Sequence, residues 1–223
     1  MKRGAEGVWP TDEVEAAARS VLERPLTRRE HAALRRYAEL LRTWNRVHRL
    51  VGPATLAGIG RDLVIDSLLF RPLLPEGPVH ILDLGTGAGV PGIPLAITTP
   101  QLTGVLVEAR RKRISFLLAA GRELGLERVE IVHARAETLL GGRPALAGAF
   151  DVVVARCVAR PTPLAEMAHP FMKPGGMLAI SGPPAGAALA IPVVPWGEME
   201  LRHVVVPDLG IRRSFLVARN VLN

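Results

Sequence analysis

The feature that most constrains the fold is a buried-strand pattern that runs directly into a glycine-rich turn. Four of the six residues of Val79–Leu84 are aliphatic, and Gly85, Gly87 and Gly89 follow in alternation. A short apolar run of this kind is typical of a strand that is covered on both faces, as in a parallel sheet. Glycine allows the backbone of such a turn to approach a bound molecule closely. The pattern therefore predicts an open α/β sheet with a ligand beyond the carboxyl end of this strand.

In the rest of the C-terminal part, strand patterns alternate with helix patterns. This alternation predicts a mostly parallel sheet with helices on both faces. The two last strands are expected to form an antiparallel hairpin at one edge. The predicted helices are near Ile93–Thr98, at Arg111–Leu124 and at Pro163–Phe171. The predicted strands after the first are Leu102–Val107, Val129–His133, Asp151–Ala155, Met177–Ser181, Glu200–Val206 and Arg213–Ala218.

The N-terminal part has a helical pattern. Thr11 is predicted to cap a first helix, and Thr27-Arg28-Arg29-Glu30 predicts a capping box for a second one. A third helix is expected from about Arg61 to Phe70, and residues 1–10 are expected to be frayed. We divide the chain into an N-terminal helical extension, residues 1–75, and an α/β core, residues 76–223.

Amino-acid composition indicates which kinds of binding partner and which cellular location to expect. The net charge is +7, which favours a polyanionic partner, either a nucleic acid or an acidic membrane surface. Arginine accounts for 25 of the 28 basic residues, which the codon bias of a GC-rich genome would also produce. There is no apolar run of about 18 residues and no apolar segment after the charged N-terminus, so we expect neither a membrane span nor a signal peptide. The only cysteine, Cys157, cannot form an internal disulfide, which favours a reducing, cytoplasmic location.

The loop has the form Asp-x-Gly-x-Gly-x-Gly and not G-x-G-x-x-G. Asp83, two residues before Gly85, would repel a pyrophosphate but can accept hydrogen bonds from an ammonium. The loop therefore favours a ligand that carries an amino acid over a dinucleotide. A plain strand-to-helix turn is the alternative interpretation.

Three further positions follow the predicted strands and face the same crevice. Glu108 can accept hydrogen bonds from two ribose hydroxyls, or it can be an exposed acid that pairs with Arg110, Arg111 or Lys112. Ala136-Glu137 stands where an adenine ring could be contacted, although a helix N-terminus alone explains these residues. Arg156 could bind a carboxylate or a phosphate, or form a salt bridge to Asp83, Glu108 or Glu137. Cys157, beside it, is a weak candidate nucleophile because no histidine is placed to activate it.

A basic stripe follows the second helix. Arg28, Arg35, Arg42 and Arg49 recur every seven residues, and Arg46 lies one turn from Arg42. The stripe could bind RNA phosphates, or it could be a solvated helix face. The six histidines are scattered without metal-ligand spacing, so no metal is expected.

The loop and its continuation resemble the small-subunit ribosomal RNA methyltransferase G family, also called glucose-inhibited division protein B. The most specific part is Val90-Pro91-Gly92-Ile93-Pro94-Leu95-Ala96-Ile97, which follows the glycines. Supporting matches run in family order over about residues 30–182. They are Trp44-Asn45, Ile65-Asp66-Ser67-Leu68, Val107-Glu108, Lys112-Arg113, Phe116-Leu117, Arg135-Ala136-Glu137, Phe150-Asp151 and Ala155-Arg156.

The resemblance implies a Rossmann-like class I methyltransferase fold and transfer of a methyl group from S-adenosyl-L-methionine to N7 of a guanine in the decoding-region loop of 16S rRNA. The expected product is S-adenosyl-L-homocysteine, and the expected partner is 16S rRNA or the small ribosomal subunit. The protein is expected to be a monomer and not to bind a membrane. The cofactor residues that it implies are Gly85, Val90, Ala136, Glu137 and Arg156. Gly87 and Glu108 are added on the physical argument above.

Some positions depart from the family pattern. Val51, Asp62 and Ser181 stand where the family usually has a threonine, a histidine and a lysine. These departures affect the RNA substrate more than the cofactor. They keep two alternatives open, a methyltransferase of a small molecule or protein, and a protein that binds cofactor or RNA without turnover.

The chemistry implied by the resemblance is modest. Guanine N7 has a free lone pair and no proton, so no general base is required and alignment carries most of the catalysis. No catalytic residue is therefore assigned, and Arg156 and Asp66 are the best candidates for arranging the site.

Overall fold

The computed structural model describes residues 7–156, 161–184, 191 and 193–221. The N-terminal part contains α1 (Thr11–Leu22), α2 (Arg28–His48), α3 (Leu56–Ile59), a π-helical segment (Gly60–Ile65) and α4 (Asp66–Leu68). The remaining helices are α5 (Gly92–Thr98), α6 (Arg111–Leu124), α7 (Leu139–Gly142) and α8 (Pro161–Ala168). The strands are β1 (Val79–Leu84), β2 (Leu102–Glu108), β3 (Val129–His133), β4 (Phe150–Arg156), β5 (Met172–Pro184), β6 (Met199–Val206) and β7 (Ile211–Arg219).

The strands form a seven-stranded sheet in the order β3-β2-β1-β4-β5-β7-β6. The strands β1 to β5 pair in parallel, whereas β7 is antiparallel to both β5 and β6. The order reverses between β1 and β4, which makes their carboxyl ends a topological switch point where ligands bind in open α/β sheets. The prediction of a mostly parallel sheet with a late antiparallel hairpin is confirmed.

Each face of the sheet is covered by a separate apolar cluster, because successive strand residues point to opposite faces. Ile81 and Val154 belong to the cluster that includes the N-terminal helices, α5 and α6. Leu82 and Val153 belong to the cluster on the other face, with α7 and α8. The helical extension therefore shares one core with the sheet, and its division from the core at residue 75 stays a prediction.

Side chains at the ends of α2 and α4 attach the extension to the sheet. The predicted capping box is present, since Thr27 Oγ1 accepts from Glu30 N and Glu30 accepts from Thr27 N. Arg24 pairs with Glu30 at 2.6 Å and also donates to the carbonyl oxygen of Thr98, at the end of α5. Beyond α4, Phe70 meets Phe215 of β7 edge to face, with ring centroids 4.8 Å apart. Such a ring pair contributes about 0.5–1.5 kcal/mol beyond its buried area.

Several predictions for the N-terminal part are wrong. Thr11 is the first residue of α1 and not its cap, and Pro10 precedes it without a side-chain hydrogen bond. Trp9 is only 4% exposed, so it is packed and not frayed, whereas Gly7 and Val8 are exposed; residues 1–6 lie outside the described part. The predicted third helix starts earlier, at Leu56, and contains the π-helical segment. No local sequence signal marks such a change in helical hydrogen bonding.

Candidate cofactor and acceptor site

The glycine-rich loop has the backbone that its sequence requires. Gly85, Gly87 and Gly89 have φ angles of +70°, +64° and +90°. Residues other than glycine rarely adopt positive φ angles. The amide of Thr86 donates to the carbonyl oxygen of Val107 at 3.0 Å, which ties the loop to β2. Gly85 is exposed, and a Cβ added there would have no atom within 4 Å. The loop therefore leaves open space directly above the carboxyl end of β1.

Asp83 lies beneath this loop and holds it. Its Oδ2 accepts hydrogen bonds from Thr86 Oγ1 at 2.7 Å and from Gly92 N at 2.8 Å. A Cβ on Gly92 would lie 2.7 Å from the same oxygen, so glycine is needed for this approach. Burial raises the pKa of Asp83 to about 7, although both hydrogen bonds oppose the shift. The side chain is 0% exposed, so the expected contact with a ligand's ammonium is not available to it in this structure.

Glu108 ends β2 beside the loop and is 5% exposed. Its Oε1 accepts from the amide of Arg110 at 2.8 Å, and its Oε2 accepts from Arg113 Nη1 at 3.2 Å. The alternative interpretation, an exposed acid paired with Arg110, Arg111 or Lys112, is wrong in its details, because Glu108 is buried and its ion pair is with Arg113. Each carboxylate oxygen has a second lone pair, so both can still accept from a hydroxyl.

The other predicted cofactor positions surround the same opening. Gly87 lies near the Arg113 guanidinium, since an added Cβ would be 3.6 Å from Arg113 Nη1. Val90 is half-buried at the end of the loop. Ala136 and Glu137 form a 3₁₀ turn after β3, where Ala136 is half-buried and Glu137 exposed. This turn adjoins Glu108, whose backbone carbonyl accepts from Ala134 N at 3.2 Å.

Arg156 ends β4 and points towards the helical extension. Its Nε lies 2.9 Å from Asp66 Oδ2, and its Nη2 donates to the backbone carbonyl oxygen of Asp62 at 2.7 Å. The other oxygen of Asp66 lies 2.6 Å from Arg213 Nη2, on β7. The structure thus brings together Asp66 and Arg156, both of which the sequence singled out, and adds Arg213, which it missed. Cys157 lies outside the described residues.

Five polar residues lie on one face of the sheet near the ends of neighbouring strands, and we call them the polar row. Asp83 and Val154 are register partners, as are Arg156 and Ser181. Every second residue of a strand shares a face, so these five residues lie on the extension side of five neighbouring strands, near the strand ends. Asp83 pairs with Leu106 and Val154, so it lies two residues short of Glu108 and Arg156. Arg213 lies two residues beyond Phe215, the partner of Ser181. The members of the polar row, in sheet order, are Glu108, Asp83, Arg156, Ser181 and Arg213. Acidic groups occupy one half of the polar row and basic groups the other.

Basic side chains flank this edge of the sheet. Contacts between Arg36 and Glu123 and between Trp44 and Phe116 show that α2 runs antiparallel to α6. The C-terminal end of α2 therefore lies beside the first turn of α6. We call the exposed cations around this point the basic edge, and none of them has a carboxylate within 4 Å among the described residues. The basic edge consists of Arg46, Arg49, Arg110, Arg111, Lys112 and Arg135.

The basic stripe predicted along α2 is only partly available. Arg35 pairs with Glu39 at 3.0 Å, and Arg49 caps the helix with a left-handed backbone. Arg28 and Arg49 lie at opposite ends of a helix about 30 Å long. Over the part of the chain that the structure describes, no three metal-ligating side chains form a cluster, and no helix is long and apolar enough to cross a membrane.

Two solved structures share this architecture. The [4+2]-cyclase SpnF aligns with a TM-score of 0.56 at 16% identity, over 87% of this chain and 96% of its own. TrmN from Thermus thermophilus aligns with a TM-score of 0.52 at 20% identity, over 70% of this chain and 48% of its own. At these identities the likeness concerns the fold alone. Together with the sheet order and the loop, it defines a Rossmann-like class I methyltransferase fold.

Sequence comparison identifies the family within this class. The family model described as rRNA small subunit methyltransferase G matches residues 30–186, and the chain belongs to this family. "Ribosomal RNA small subunit methyltransferase G" of Streptococcus pyogenes serotype M12 (strain MGAS9429) is 40% identical over 144 residues, which are 64% of this chain and 60% of the relative. The protein of the same name from Sorangium cellulosum (strain So ce56) is 40% identical over 162 residues, 71% of this chain and 67% of the relative. The chain thus spans about 60% of the length of the streptococcal relatives.

Proposed function

We propose that the protein transfers a methyl group from S-adenosyl-L-methionine to N7 of a guanine in small-subunit ribosomal RNA. The observation that carries the proposal is the family match over residues 30–186, which includes the loop, Glu108 and Arg156. The relatives bear the name of a small-subunit rRNA methyltransferase. The basic edge beside the loop supports a polyanionic substrate, since exposed cations without carboxylate partners bind phosphates most readily.

The residues around the loop fit this cofactor. Open space above Gly85 accommodates the part of the ligand that crosses the end of β1. The free lone pairs of Glu108 suit two ribose hydroxyls, and Gly87, Val90, Ala136 and Glu137 complete the same side of the opening. Arg156 is held by Asp66 at the far side of the loop, where it can orient the methionine end of the cofactor.

Positioning carries the reaction. When bound, S-adenosyl-L-methionine supplies a methyl group that is activated by a positively charged sulfur. Guanine N7 offers a lone pair and loses no proton, so no side chain has to act as a base. The chain's own contribution is to hold the two reactants in line, and a rigid loop fixed by Asp83 serves that alignment. Arg156 and Asp66 are positioning residues in this proposal.

The decisive experiment is a methyl-transfer assay with labelled S-adenosyl-L-methionine and ribosomal RNA from a strain that lacks this protein. We expect label in small-subunit RNA, at one guanine that becomes sensitive to N7-methylguanosine-specific cleavage. The same assay is run with a cell extract of that strain. Transfer of label to a small molecule or a protein of the extract, and not to RNA, would contradict the proposal that RNA is the substrate. Cofactor binding by calorimetry without any transfer would instead indicate a binding protein without turnover.

Running the assay with naked RNA, isolated small subunits and whole ribosomes distinguishes the physical form of the substrate.

Calorimetry with S-adenosyl-L-homocysteine in the presence of a chelator tests the cofactor separately. Binding of about equal strength with and without the chelator is expected. Failure of folded protein to bind either ligand would overturn the proposal.

A further inference from the structure

The basic half of the polar row has no role in the function proposed above, apart from Arg156. Ser181 on β5 pairs with Arg156 on one side and with Phe215 on the other. Arg213 lies two residues from Phe215 on β7 and pairs with Pro184, across an irregularity in the register. Ser181 and Arg213 both lie on the side of β4 away from β1, so they are separated from Gly85 by Arg156. A ligand that fills the space above β1 and β2 therefore leaves this part of the edge to a second molecule.

This half of the row carries more positive than negative charge. Asp66 is the one carboxylate within 4 Å of either guanidinium among the described residues, at 2.9 Å from Arg156 and 2.6 Å from Arg213. Two guanidinium groups against one carboxylate leave one unbalanced positive charge. The three side chains are 13%, 18% and 11% exposed for Arg156, Arg213 and Asp66, so water screens this charge weakly.

Hydrogen-bonding capacity is also unused here. Arg156 Nη1, Arg213 Nε and Ser181 Oγ are buried and make no hydrogen bond within the described part of the chain. Buried polar groups in folded proteins are nearly always hydrogen-bonded, and an exception calls for an explanation. Each of these three groups can donate a hydrogen bond to an anionic oxygen. Asp66 links the two arginines, and Ser181 is the register partner of Arg156.

We propose that Ser181 and Arg213, with Arg156, form an anion subsite that binds a backbone phosphate of the acceptor RNA beside the target guanine. The inference rests on the proposed function, since that function supplies the RNA. A phosphate bound there places the adjacent base towards Gly85, on the side where the acidic half of the row begins. Asp66 orients both guanidinium groups and belongs to the subsite as a positioning residue.

The test compares two variants on the same strand. Arg213→Gln removes the charge from the subsite, whereas Arg219→Gln makes the same change at the opposite end of β7, where Arg219 is exposed. In methyl-transfer assays on RNA, we expect Arg213→Gln to raise KM for RNA about tenfold or more, as for a lost charge-assisted hydrogen bond. The log–log salt dependence of RNA binding should fall by about 0.7–0.9, one phosphate contact. Arg219→Gln should change neither quantity.

A purely structural role for Arg213 gives a different result. If Arg213 only anchors Asp66, its loss lowers thermal stability and leaves the salt dependence of RNA binding unchanged, which would overturn the proposal. Arg213→Lys keeps the charge and should retain the parent's salt dependence. Ser181→Ala removes a hydroxyl that has no hydrogen-bond partner within the described residues. This variant is expected to fold normally and to raise KM for RNA, and an unchanged KM would speak against the subsite.

A chemical probe identifies the phosphate itself. Short RNA substrates carrying one uncharged methylphosphonate beside the target guanine are expected to bind the parent protein more weakly. The same substitution should have little further effect on Arg213→Gln, because coupled groups are not additive. Additive losses would contradict the subsite. If the parent transfers no methyl group to any RNA, the proposed function fails, and that outcome is distinct from failure of the subsite.

Discussion

The hydroxyl of Tyr37 on α2 donates a 2.7 Å hydrogen bond to the backbone carbonyl oxygen of Ala88, inside the glycine-rich loop. Tyr37 is 0% exposed, and burial raises the pKa of its hydroxyl above the ordinary value, so the group remains a donor. The helical extension therefore supports the loop directly. This contact links the stability of the extension to the geometry of the candidate cofactor site.

Tyr37→Phe keeps the ring and removes this link. It should lower the free energy of unfolding by about 1–3 kcal/mol, because the carbonyl of Ala88 loses its buried partner. It should also weaken the affinity for S-adenosyl-L-homocysteine, since the loop is held less firmly. Denaturant unfolding and calorimetry measure the two effects. If affinity is unchanged while stability falls, the loop is fixed by β1 and β2 alone.

Gly85→Val should abolish cofactor binding, because the branched side chain would occupy the open space above β1. It also imposes a left-handed conformation on valine, at a cost of at least about 1–2 kcal/mol. Gly125→Val is the matched control, since Gly125 has a φ of +62° and an equally open surrounding at the end of α6. Both variants should lose similar stability in denaturant unfolding, and only Gly85→Val should lose binding in calorimetry. Equal affinities would show that the loop is only a turn.

Glu108→Ala tests the proposed ribose contact. The change should weaken cofactor binding by about 1–3 kcal/mol, the cost of hydrogen bonds to a charged acceptor. Glu130→Ala is the control, because Glu130 is an exposed carboxylate on β3 that pairs with Arg143 at 2.7 Å. Calorimetry should show parental affinity for the control. A parental affinity for Glu108→Ala as well would place the ribose elsewhere.

Asp83 should make stability depend on pH. Its pKa in the folded protein is raised to about 7 by burial, so the folded state holds this proton more tightly than the unfolded chain does. The associated stabilisation is complete below the unfolded pKa of about 3.9 and is lost as pH rises through about 7. Within that window the free energy of unfolding should fall by up to about 1.4 kcal/mol per pH unit from this group.

Asp83→Asn removes this ionisation and keeps an oxygen that can accept from Thr86 and Gly92. Relative to the variant, the parent should therefore lose stability as pH increases between about 4 and 7. Thermal unfolding at several pH values, with parent and variant side by side, isolates the difference. Parallel curves would mean that Asp83 is ionised throughout this range.

The local elements were predictable because their signals lie within a few residues. The observed bounds of β1, β3 and α6 equal the predicted ones, and the capping box at Thr27 joins groups three residues apart. The grouping of Asp66 with Arg156 and Arg213 depends on sheet order and register. No spacing along the chain encodes that relationship, although the predicted strand ends place Arg156 and Arg213 at strand termini.

The positions of the basic residues likewise depend on packing that spacing along the chain does not encode. Heptad spacing selected a stripe from Arg28 to Arg49, but Glu39 neutralises Arg35, and the C-terminal end of α2 is the part that packs beside the first turns of α6. Packing of α2 against α6 brings the C-terminal end of α2, with Arg46 and Arg49, to the N-terminal end of α6, which starts at Arg111. The RNA surface predicted from the stripe is therefore better tested at the basic edge.

Replacing three residues of the basic edge with glutamine should weaken RNA binding across sequences, because phosphate contacts carry no base specificity. The log–log salt dependence should fall by about 0.7–0.9 per lost contact, or about 2–3 for the triple variant. Cofactor affinity should be unchanged, since none of the three is among the predicted cofactor residues. The variant is Arg46→Gln, Arg49→Gln and Arg111→Gln.

The control carries the same charge change at the opposite end of the sheet, on exposed arginines without ion pairs in the described residues: Arg28→Gln, Arg29→Gln and Arg128→Gln. Equal salt slopes for the two triple variants would mean that total charge, and not the basic edge, attracts the RNA.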